Sequence, residues 1–120
     1  MFWTTLASLV GSVLLMGSVL GAATVRAQDV RDFDFENTSS AVVDAVWIAP
    51  HEADTWGGQV LSSDIEPGGT RGIHFPDAQP GLCNYDVHVT AAGGGSWELL
   101  DLNLCTTFVI ELAETYIQAR

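Results

Sequence analysis

Cys83-Asn84-Tyr85-Asp86-Val87-His88-Val89-Thr90 alternates polar and apolar side chains, with Tyr85, Val87 and Val89 on one face. A period of two marks a half-buried strand. Ala91-Ala92-Gly93-Gly94-Gly95-Ser96 follows as a tip, and Trp97-Glu98-Leu99-Leu100-Asp101-Leu102-Asn103-Leu104-Cys105 returns. The stretch therefore reads as a β-hairpin bracketed by the chain's two cysteines. A regular ladder centred on Gly94 sets Cys83 opposite Cys105, close enough to bridge. In that ladder Val87 faces Asp101 and Val89 faces Leu99, whereas the apolar face of the return strand reads as Leu100, Leu102 and Leu104. The two faces are one residue out of phase. A bulge in the Gly-rich tip or near Asp101 repairs this, because one extra residue flips a strand's face. The alternative places the cysteines on strands that are not neighbours, so that their bond ties two sheets together.

The rest of the chain repeats the theme. Asp32-Phe33-Asp34-Phe35-Glu36 alternates strictly, with both phenylalanines on one side, and Asn37 to Ser40 is a polar turn. Ala41 to Ala49 is apolar and β-branched up to Pro50, a second strand. Residues His51 to Glu66 are irregular, and Trp56-Gly57-Gly58 argues for a loop that tucks an aromatic ring against the domain. Val60-Leu61 begins a short helical turn or strand. Glu66-Pro67-Gly68-Gly69 is a turn, Thr70 to Phe75 a third strand, and Thr106 to Leu112 a last one. Ala113 to Arg120 reads as a frayed helical turn. Six or seven short strands at close intervals predict an all-β antiparallel sandwich, with a barrel as the other closed arrangement.

Leu6 to Val25 is an uncharged run of 20 residues. Val25-Arg26-Ala27 sets small residues where a signal peptidase requires them, so residues 1–27 read as a signal peptide and 28–120 as one β domain. No Lys or Arg precedes the apolar run, and an uncleaved anchor is the alternative. No cysteine near the site offers a lipid anchor. The destination is periplasmic or extracellular, with no membrane attachment after cleavage. In an oxidising compartment two cysteines have one intramolecular pairing, Cys83–Cys105. In a reducing compartment the same residues are two buried thiols. A zinc site is poorly supported: there is no C-x-x-C, and His51, His74 and His88 are scattered.

All 15 acidic residues lie beyond residue 28, against three arginines there and no lysine, a formal charge of −12. Such a surface repels nucleic acid and anionic lipid, both of which need Lys/Arg neutralisation. It suits cations, basic partners, or solubility alone. Each histidine has acids nearby in sequence: Glu52 and Asp54 beside His51, Asp77 near His74, and Asp86 two residues before His88. No G-x-S-x-G nucleophile turn accompanies them, so an exported hydrolase is the weakest reading. Glu52, Asp54, Asp64 and Glu66 share one irregular region, where oxygen ligands can gather for calcium; solvated loop carboxylates are the plainer account. Trp56 and Trp97, with the Gly93-Gly94-Gly95 tip, suggest an aromatic surface for a protein or carbohydrate partner; the alternative is that Trp47 and Trp56 are core and Trp97 covers a sheet edge.

Phe35-x-Asn37-x-Ser39, Trp56-Gly57-x-x-Val60-Leu61, Pro67-Gly68, Cys83-x-Tyr85-Asp86-Val87-x-Val89 and Leu102-x-Leu104-Cys105 together resemble a group of small exported bacterial proteins of uncharacterised function. The resemblance spans about residues 33–105 and implies a compact β domain behind an export signal. It carries over no catalytic residue. An argininosuccinate lyase label attached to members of that group would transfer no activity, since that enzyme is a large helical assembly whose site a 93-residue β domain cannot reproduce. The sequence thus predicts a non-enzymatic binding or structural domain without a cofactor, with a calcium-dependent binding module as the alternative.

Overall fold

The alternation at Phe33-Asp34-Phe35 is realised as strand β1 (Phe33–Asn37), which buries Phe33, Phe35 and Asn37 and turns Asp34 outward. The computed structural model, describing residues 29–120, continues with β2 (Val43–Pro50), β3 (Thr70–Ile73), β4 (Asn84–Ala91), β5 (Ser96–Asn103), β6 (Val109–Leu112) and β7 (Ile117–Ala119). The expected signal peptide, residues 1–27, lies outside the described residues. The strands form two sheets in the orders β3-β1-β6-β7 and β2-β4-β5, packed as an open sandwich rather than closed into a barrel.

Every strand pair but one is antiparallel. β1 runs parallel to β6, with Phe35 opposite Ile110 and Asn37 opposite Leu112. A parallel pair needs a long crossover. Here the crossover is the rest of the domain, since the chain leaves β1, builds the other sheet and returns. The tail expected to be helical is instead β7. Ile117 and Ala119 pack against the core, and Arg120 exchanges backbone bonds of 2.8 Å with Val109. An apolar face two residues apart and an open ladder beside β6 outweigh local helix preference.

Between the sheets lie Phe33, Phe35, Val46, Tyr85, Val87, Ile110 and their neighbours, nearly all without solvent contact. Tyr85 meets Phe75 edge to face at 4.9 Å, and its hydroxyl accepts the Gln79 N–H at 3.0 Å, so the buried ring keeps its polar end satisfied. Asn37 is fully buried and fully used. Its amide donates to the carbonyls of Ala41 and Ile65, and its Oδ1 accepts from the backbone N–H and hydroxyl of Ser39. It ties the turn after β1 to the segment that covers the edge of β2. Gly68, at φ +84°, makes the turn before β3, a conformation L side chains resist.

The hairpin confirms neighbouring strands joined by a disulfide and locates the bulge. Near the tip Val89 pairs with Trp97 and Val87 with Leu99, but at the open end Tyr85 pairs with Leu102 and Asn84 with Asn103. Leu100 and Asp101 together oppose Asp86, and Asp101 takes φ +55°, a region Asp tolerates better than most residues. The inward residues are therefore Trp97, Leu99, Leu102 and Leu104; Leu100, expected inside, is 60% exposed. Cys83 and Cys105 are bonded, with Cα atoms 5.3 Å apart. They are not opposed in the ladder, because Leu104 donates to the Cys83 carbonyl at 2.8 Å and Cys105 already belongs to a 3-10 turn, Leu104–Thr106. The bond staples the open end of the hairpin.

Candidate binding face

The parity of β4 sends Asp86, His88 and Thr90 away from the core, onto the outer face of the β2-β4-β5 sheet. Across the ladders His88 lies between Trp47 on β2 and Glu98 on β5, and Asp86 lies beside Ala49. The irregular segment after β2 then folds back over this face. Gln59 bridges to Trp47, and Val60 donates to the Val46 carbonyl at 2.8 Å, so the return leg of the loop also covers the free edge of β2. Gly57 sits so close to β2 that a Cβ there would stand 2.7 Å from the Ile48 carbonyl oxygen. Only glycine permits that approach. It delivers Trp56 onto His88, with ring centroids 5.3 Å apart, and His88 lies 5.6 Å from Trp47 on its other flank. Trp56 remains 38% exposed.

The histidines choose partners far away in sequence rather than the acids beside them. His51 Nδ1 is 2.9 Å from Asp86 Oδ1, His88 Nδ1 is 3.2 Å from Glu98, and His74 Nδ1 is 3.1 Å from Asp32. The hydrogen bond that His51 donates to Asp86, helped by the charge of Asp101, raises the His51 pKa above its ordinary 6.5 against a smaller burial effect. Asp86 Oδ1 also accepts the Asp101 N–H at 2.8 Å. One carboxylate oxygen thus holds both the bulge in β5 and the start of the loop that carries Trp56.

Beside that loop is a hollow of about 140 Å³ lined by Ala49, Ala53, Asp54, Thr55, Trp56 and Asp86. A larger open cleft, about 390 Å³, lies on the other sheet among Asp29, Asp32, Asp34, Gly72, His74 and Phe108. Size does not make the cleft the better site, because most of its charge is already answered. Asp29 is chelated by Arg31 at 2.7 and 3.0 Å, which lowers its pKa to about 2, and Asp32 accepts from the Phe75 N–H and meets His74.

Of the residues singled out by sequence, Trp56 stands on this outer face, whereas Trp97 pairs with inward Val89 and packs on the core, so the two do not form one surface. The tip glycines leave Trp97 on the inner side, with its ring against Gly95. The four calcium candidates do not converge. Glu52 and Asp54 follow the end of β2, while Asp64 and Glu66 flank the Val43–Ile65 bridge at its start, about 20 Å away along an eight-residue strand. Among the described residues no group of three or more His, Cys, Asp or Glu side chains is placed to hold a metal ion, and no serine hydroxyl is hydrogen-bonded to a histidine. Also among them, no helix is long and apolar enough to cross a membrane. The disulfide is consistent with an oxidising environment. No protein-family model, curated protein or solved structure matches the chain.

Proposed function

We propose that this chain is an exported, non-enzymatic binding domain whose contact surface is the outer face of the β2-β4-β5 sheet. The observation that carries the reading is the half-exposed Trp56, tilted against His88 over a polar sheet face and fixed by the Gly57 approach to β2. A rigid aromatic ring ringed by polar groups is a common anchor for protein and carbohydrate partners. Secretion into the periplasm or medium, after removal of residues 1–27, fits the disulfide and the acidic surface, and kinship with the small exported bacterial proteins belongs to the same reading. Incubating the tagged domain with periplasmic extract and growth medium tests it. The expected result is a retained protein or glycan that Trp56→Ala releases and Trp97→Ala, if folded, does not. Retention indifferent to Trp56 overturns the proposal.

A further inference from the structure

We infer that the hollow beside Trp56 receives the guanidinium head of an arginine side chain from a basic partner. This rests on the reading of the outer face as a binding surface and names what that surface recognises. At about 140 Å³ the hollow is smaller than the roughly 300–1,000 Å³ typical of sites for whole small molecules, so it suits a side-chain head. Its lining joins two alanines, Ala49 and Ala53, with the aromatic Trp56 and the acids Asp54 and Asp86.

That charge has no permanent counterpart. Asp86 spends one oxygen, Oδ1, on both His51 and the Asp101 N–H. Among the described residues its Oδ2 and the whole Asp54 carboxylate make no hydrogen bond. The chain has no lysine with which to answer them. The three arginines among the described residues are committed elsewhere: Arg31 to Asp29, Arg71 to the carbonyls of Ser63 and Asp64, and Arg120 to Glu36 and Glu111. Two carboxylates in one small hollow repel each other, and a cation brought from outside relieves this. A guanidinium answers both features of the site. Its flat face stacks on indole, and its forked N–H groups donate to carboxylates. An ammonium has no flat face and is more strongly hydrated. Among the lining side chains two carboxylates face two donors, the Thr55 hydroxyl and the Trp56 indole N–H, so negative charge rather than a sugar's balance of donors and acceptors dominates the site. The −12 charge of residues 28–120 draws basic partners toward the whole surface.

An NMR titration of the ¹⁵N-labelled domain at pH 7.5 tests this, using N-acetylarginine methylamide against its uncharged isostere N-acetylcitrulline methylamide. The expected result is saturable shifts at the Trp56 indole N–H and the Thr55 amide with the arginine probe alone. Asp54→Asn removes no hydrogen bond of the fold and should weaken the response about tenfold, close to 1.4 kcal/mol. Equal responses to both probes, no response, or shifts centred on the Asp34–His74 cleft overturn the inference. If the arginine probe fails while Trp56→Ala still releases the retained partner, only the guanidinium assignment falls. If Trp56→Ala leaves retention intact, the binding face itself falls.

Discussion

The outer faces of the two sheets carry acid in quantity and answer it differently. On β3-β1-β6-β7 the answer is permanent: Arg120 reaches Glu36 at 3.0 Å and Glu111 at 3.1 Å, and Gln118 and Thr38 add further bonds to Glu111. Together these bonds lower the Glu111 pKa. On β2-β4-β5 there is no arginine or lysine in any strand, and among the described residues the basic partners of its acids are His51 and His88. On the first face Glu36 and Glu111 keep an arginine partner at every physiological pH. On the other face Asp86 and Glu98 meet imidazoles instead of guanidinium groups. The three arginines among the described residues are all committed away from the β2-β4-β5 face, which leaves that face as the place for a cation from outside.

Three measurements break or sharpen this contrast. The largest effect is expected from Cys83→Ala/Cys105→Ala. Opening a loop with a sequence separation of 22 should cost about 3 kcal/mol, read as a lower urea midpoint. The loss should fall on β4–β5 first, so hydrogen exchange in β1 and β6 should change less than in β4; equal loss in both sheets would show that the hairpin staple supports the whole sandwich. Next come Asp86→Ala and Arg120→Ala as a pair. Asp86 holds the bulge and His51 together, so its removal should cost about 2 kcal/mol and free Trp56, with red-shifted emission. Arg120 makes solvent-screened, exposed pairs, and its removal should lower the urea midpoint far less. Similar costs would erase the difference between the faces. The smallest effect is the pH dependence. Because the folded pKa of His51 lies above its ordinary value, its pairing stabilises fully below about pH 6.5 and is lost as pH rises through the folded value. Thermal melts should therefore show wild type ahead of His51→Gln near pH 6, with the gap closing in alkali. A constant gap would assign His51 a packing role alone.

The alternation at Phe33-Phe35 and Tyr85-Val87-Val89 was enough to read the strands and the two-layer class, because a period of two states directly which side is buried. The mismatch between the cysteine register and the apolar register announced the bulge as well, since both constraints were local to one hairpin. The parallel β1–β6 pair was hidden, because it depends on where the chain returns after some 70 residues. β7 was hidden by its brevity: three residues give too little pattern to outvote a helical reading. The site was half legible. Trp56 just before the Gly57-Gly58 pair was readable, and so was the two-residue spacing of Asp86 and His88. The pairing of His51 with Asp86 joins residues 35 apart through a loop that folds back, and nothing in spacing encodes it. Trp97 was misassigned because its inner position follows only once the register near the tip is known.

The place of β1 has a consequence for the order of assembly. It lies inside its sheet, with β3 on one side and β6 on the other. A chain growing from its N-terminus can close the β4–β5 hairpin from neighbouring residues, but one edge of β1 stays open until residues 109–112 exist. A strand carrying Phe33 and Phe35 thus remains unprotected along that side while most of the domain is made. The final strand pairs do more than finish the sheet; they end the period in which this chain is most open to sticking to another.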